Sequence, residues 1–157
     1  MKMKLKGILI GIGIPIAIGL LAAFFTRGNM QLLNQLNQPP LTPAGWIFPV
    51  VWTILYILMG IASYRVYLHG ENDSAAAFAL TIYGVQLILN FFWSIVFFNL
   101  HWYLFAFIWL LILWAMVLFM NVRFYKIDIP AGLMILPYSI WVTFAAYLNI
   151  GIYILNR

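Results

Sequence analysis

A chain of 157 residues with 66% hydrophobic and only 7% charged residues cannot cover a water-exposed globule, since a soluble domain of this size carries about 25% charged residues. With a mean hydropathy of +1.03, the solvent it fits is lipid. The lack of cysteine excludes disulfides and thiolate chemistry, and the net charge of +5 reads as membrane topology and attraction to anionic lipid, with no nucleic-acid footprint.

Five apolar runs follow in order, over residues 5–25, 46–68, 75–98, 102–124 and 129–155. At about 1.5 Å per residue against about 30 Å of hydrocarbon, each is long enough to span as a helix. The short alternating segments of a transmembrane barrel are absent. The expected fold is all-α, an integral membrane bundle of five transmembrane helices forming a single domain over residues 1–157.

The first run follows Lys2, Lys4 and Lys6. It has the layout of a signal peptide, but about 20 apolar residues exceed the usual 7–15 and no clear cleavage site follows, so it is expected to stay as a helix. Its Gly7-xxx-Gly11 spacing, like Ala75-xxx-Ala79 in the third run, suits close helix contact. Residues 26–45 form a long, polar, Pro-rich connection, expected to act as a lid with a short helix near 30–36. The other turns are brief: HGENDS at 69–74, with Glu71, then NLHW at 99–102 and YKID at 125–128. Pro15, Pro130 and Pro137 are expected to kink or start helices. Lys2, Lys4, Lys6, Arg65, Arg123 and Lys126 fall on one side, against Arg27 and Arg157 on the other. The positive-inside rule then puts the N-terminus in the cytoplasm, and a bacterial cytoplasmic membrane is the simplest host.

The spans offer little for conventional catalysis. The carboxylates Glu71, Asp73 and Asp128 all fall in turns, and no charged residue sits mid-span, which argues against an ion-coupled transporter. His69 and His101 lie in turns on opposite sides and cannot share a metal. Binding is better served. Phe48, Trp52 and Tyr56 stand at i, i+4 and i+8 on one helix face. Trp141, Ala145 and Asn149 repeat that spacing in the fifth run, where Ala145 leaves a gap beside Trp141. Asn90 and Ser94 flank Trp93 in the third. Aromatic rings converging on a few polar groups make a pocket for a flat apolar ligand, although buried Asn90 and Asn149 would more often bridge helices.

Three blocks carry a resemblance: PxxxxFxxVWxxLYxxMGxAxY over 43–64, LxLNxxWSxxFF over 87–98 and PYxxWxxFAxxLN over 137–149. In these the chain resembles the TspO/MBR family of translocator proteins, also called tryptophan-rich sensory proteins or peripheral benzodiazepine receptors, over nearly its whole length. The resemblance implies a five-helix bundle, commonly a homodimer, with a ligand cavity under the first loop. It implies porphyrin or haem as ligand, with no cofactor required, and in several members sterols or benzodiazepine-type drugs. By position, the cavity would be lined by Pro43, Phe48, Trp52, Tyr56, Asn90, Trp93, Trp141 and Ala145. The aromatics would stack on the ligand, Ala145 would give clearance and Asn90 a polar handle. Leu32, Leu33 and Leu41 stand where relatives carry aromatics, Ala44 replaces a proline, and Trp109 falls where relatives often carry an acid.

Three functions follow as expectations. The first is a membrane receptor or carrier for tetrapyrroles and other flat lipophiles. The second is a light- and oxygen-dependent porphyrin-degrading enzyme, and the third a ligand-free partner that modulates other membrane proteins.

Overall fold

The computed structural model describes residues 3–70 and 72–157, so Lys2 and Glu71 lie outside the described residues. Five long helices carry the chain: α1 (Leu5–Thr26), α2 (Ile47–His69), α3 (Ser74–Ser94), α4 (Tyr103–Ile127) and α5 (Ile129–Leu155). A 3-10 turn, Met30–Gln35, lies in the lid where a short helix is expected. A π-helical turn, Ile95–Asn99, continues α3. All five spans are long and apolar enough to cross a bilayer, and the chain is an integral membrane protein. The helices ring the bundle in the order α1, α2, α5, α4, α3.

Lipid offers helices no hydrophobic reward for meeting, so close packing has to hold them. The Gly7-xxx-Gly11 face of α1 lies on α2, where Gly7 meets the Tyr64 ring. A Cβ on Gly60 would come within 2.4 Å of Ile12 Cα, so the two backbones touch there. On α3 the small-residue contact runs through Ala76 and Ala79, both buried, with Ala75 only half-buried. The dry centre is built from Met59, Ala62 and Val66 of α2, Val117, Met120 and Phe124 of α4, and Ala131 and Ile135 of α5, none of them exposed. Leu9, Ile14, Phe92, Ile112 and Ile140 turn outward, as lipid-facing side chains should.

The expected four-residue turn at 125–128 contracts to one residue. Asp128 ends α4 and also caps α5, its carboxylate accepting from the Ala131 N–H at 3.1 Å, with Pro130 set in the first turn where its missing N–H costs nothing. So sharp a reversal needs Gly132, where a Cβ would lie 2.5 Å from Tyr125 Cα. The same carboxylate takes a two-pronged pair from Arg65 of α2, Nε to Oδ2 at 2.6 Å and Nη2 to Oδ1 at 3.0 Å. His69 Nε2 stands 3.7 Å from Oδ1. Asp128 therefore ties α2, α4 and α5 together at one end. The Lys4 N–H donates to Tyr64 Oη at 3.3 Å, which puts the N-terminal lysines at that end too. Arg27 lies at the opposite end, with the lid.

The Arg65 guanidinium holds the Asp128 carboxyl below the usual carboxylate range, helped by the Ala131 N–H and opposed by burial. A depressed folded-state pKa stabilises at neutral pH, and that contribution is lost as pH falls through the depressed value. Asp128→Asn keeps the cap and loses the charge. We expect it to cost about 1–2 kcal/mol at pH 7, read as a lower thermal midpoint in detergent. The gap to wild type should be full above about pH 5 and narrow as pH falls through the depressed carboxyl value.

Candidate ligand-binding cavity

At the end away from Asp128, α1, α2, α3 and α5 diverge around a cavity of about 1050 Å³ beneath the 26–45 connection. Each lining helix contributes one periodic face. From α2 come Phe48, Trp52 and Tyr56, one turn apart, with Trp52 and Tyr56 ring centroids 5.5 Å apart. From α5 come Trp141, Ala145 and Asn149, and Phe48 meets Trp141 edge-on at 5.9 Å. The α3 wall carries Asn90 and Trp93. Beyond it the wide π-turn sets consecutive Phe97 and Phe98 on the same wall. Pro43 lies at the lid edge. All eight residues picked from the sequence thus border one space.

Not all of them present polar groups to it. Trp93 donates its indole N–H to Asn149 Oδ1 at 3.1 Å and stacks on Phe97. The Asn149 amide in turn donates to the Tyr103 carbonyl at 2.8 Å, so Asn149 bridges α3, α5 and α4. Asn90 Nδ2 donates to Tyr138 Oη at 3.4 Å, and Tyr138 donates to Gln86 Oε1 at 2.7 Å. Both buried asparagines act as helix bridges, as their chemistry favours. Of the five tryptophans inside spans, Trp93, Trp109 and Trp114 donate to protein acceptors. Trp52 and Trp141 have no acceptor among the described residues, and both border the cavity.

The α1 wall was not legible in the sequence. Ile16, Gly19, Ala22, Ala23 and Thr26 line the cavity, and a Cβ on Gly19 would strike the Tyr56 ring at 2.3 Å. The one signal for this face was its small residues, common in any membrane helix. The lid adds the amides of Gln31, Asn34 and Gln38. Of the lid leucines, Leu33 lines the cavity, Leu32 is exposed, and Leu41 points away at 82% exposure with φ 67°. Trp109 stands outside the cavity on α4, donating to the Leu89 carbonyl at 2.9 Å. Among the described residues, no group of three His, Cys, Asp or Glu could hold a metal ion.

The lid is fastened at both sides. Asn37 N–H donates to Asn156 Oδ1 and Asn156 Nδ2 donates to the Asn37 carbonyl, each at 2.9 Å. Tyr147 donates to the Pro40 carbonyl at 2.9 Å, while Pro39 packs on Gly151. On the far side Asn29 donates to Asn99 Oδ1 at 2.9 Å, and Asn99 donates to the Phe25 carbonyl at 3.0 Å.

A profile of the TspO/MBR family matches residues 11–155. The chain belongs to the TspO/MBR family. It is 34% identical to the tryptophan-rich protein TspO of Chlorobaculum tepidum, covering 92% of each chain. It is 37% identical to protein CrtK of Rhodobacter capsulatus, over 88% of this chain and 85% of that one. Similarity reaches animals: the translocator protein of Bos taurus is 32% identical over 87% of this chain and 82% of its own. In this family member the three sequence blocks and α1 supply the cavity walls, and the 26–45 connection supplies the lid.

Asn156→Ala should free one side of the lid without touching the walls. Exchange of the Asn37 amide should quicken at least tenfold, with the rates in α2 and α3 unchanged.

Proposed function

We propose that this protein is a membrane receptor or carrier that holds tetrapyrroles, and other flat lipophilic molecules, in the cavity beneath the lid. The observation that carries the reading is the cavity itself: about 1050 Å³, with aromatic side chains from α2, α3 and α5 facing one space. Planar ring systems are favoured there because offset and edge-on aromatic contacts add to the burial of apolar area. The indole N–H groups of Trp52 and Trp141 would supply hydrogen bonds to the ligand. Relatives named tryptophan-rich sensory protein and translocator protein support a sensing or carrying role.

The same reading has an orientation. Lys4, Lys6, Arg65, Arg123 and Lys126 belong to the Asp128 end, against Arg27 and Arg157 at the lid end. By the positive-inside rule the Asp128 end faces the cytoplasm. The lid then opens to the opposite side of a bacterial cytoplasmic membrane. The dry layer of Met59, Val66, Phe124 and Ile135 separates the cavity from the cytoplasmic end.

Titration of purified protein with protoporphyrin IX in the dark, followed by tryptophan quenching, tests this. Saturable micromolar binding is expected. The Trp52→Phe/Trp141→Phe variant, which keeps five tryptophans as reporters, should bind at least tenfold more weakly, and Ala145→Phe should abolish saturation by filling the gap. Wild-type binding that is absent, or indifferent to both variants, would instead favour a ligand-free interaction protein.

A further inference from the structure

The cations of this molecule are mostly met by a carboxylate or by the interface. Arg65 pairs with Asp128, and Lys4, Lys6, Lys126, Arg27 and Arg157 are exposed. Arg123 differs from both groups. It is only half-exposed on α4, four residues before the helix ends at Ile127, which sets it about 6 Å inside the end of the span. Its guanidinium lies over two rings, Phe78 of α3 at 5.3 Å and Phe119 of α4 at 5.6 Å. Those rings meet edge-on at 6.3 Å, and both are half-exposed on the outside of the bundle.

Contact with ring faces holds the charge but leaves the N–H donors along the guanidinium edge unbonded. Among the described residues no carboxylate reaches them. The two carboxylates described at this end are engaged elsewhere, Asp128 with Arg65 and Asp73 with the Ala75 N–H that it caps. A cation at the edge of the hydrocarbon is costly unless an anion meets it. The anion that every phospholipid brings to that depth is its phosphate, which takes a guanidinium fork through two parallel hydrogen bonds.

We propose that Arg123, framed by Phe78 and Phe119, binds the headgroup phosphate of one anionic phospholipid. The phosphate sits on the guanidinium edge, and the acyl chains run down over the two rings. Lys126, one turn further along the same face of α4, adds a second cation, which favours a headgroup with net negative charge. The bound lipid bridges α3 and α4 at the end where the Asp128 clamp holds only α2, α4 and α5. None of Phe78, Phe119, Arg123 and Lys126 borders the cavity, so the site is separate from the one under the lid.

The test strips the protein of lipid in a mild detergent and titrates it with phosphatidylglycerol or with phosphatidylcholine of the same chains. Bound lipid is counted by native mass spectrometry. One phosphatidylglycerol should bind about tenfold more tightly than phosphatidylcholine, the preference that two cations supply. Arg123→Gln should abolish that preference. Arg123→Lys should restore only part of it, because an ammonium keeps the charge and loses the fork. Arg27→Gln, at the lid end, should leave it unchanged. Excess inorganic phosphate should not displace the lipid, since the acyl chains hold it against the rings. Equal binding of the two lipids by the wild-type protein, a comparison that needs no variant, would overturn the site, as would an undiminished preference in Arg123→Gln. Displacement by inorganic phosphate would overturn the lipid assignment in favour of a soluble anion.

Discussion

In hydrocarbon an unpaired backbone N–H or C=O costs several kcal/mol, and no water is at hand to relieve it. Every other feature of this molecule is arranged around that constraint. The five helices satisfy their own backbones, and several of their carbonyls also accept from side chains. The Leu89 carbonyl takes the Trp109 indole, the Tyr103 carbonyl takes Asn149, and the Asn90 carbonyl takes Ser94. Polar side chains inside the spans thus bond within their own helix or across to a neighbouring one.

The two ends of the bundle solve different problems. At one end Asp128 turns the chain from α4 to α5 within a single residue and pairs with Arg65, so three helices are locked against each other over a dry centre. At the other the helices part, and the 26–45 connection covers the opening through amide bonds to Asn156 and Asn99 and the Tyr147 hydroxyl. Those neutral, partly exposed bonds are weak individually, which suits the opening that the proposed function asks of the cover. In the proposed function, ligand entry calls for movement of the lid alone and leaves the helix contacts that hold the fold in place.

The composition, the five apolar runs and the basic residues between them were enough to identify a membrane bundle and its helix boundaries to within a few residues. They determine what solvent each segment can occupy, and that depends on local sequence alone. Spacing also grouped Phe48, Trp52 and Tyr56, and Trp141 with Ala145, because side chains four apart share a helix face whatever packs on it. The tertiary structure decided which faces meet. It brought α1 to the cavity through Gly19, turned the Trp93 and Asn149 polar groups toward one another, set Leu41 away from the cavity, and shrank the 125–128 turn to Asp128. In a chain so uniformly apolar, outward and inward faces carry the same residue types. The choice between them rests on close-packing and hydrogen-bond geometry across helices, which no single stretch of sequence contains.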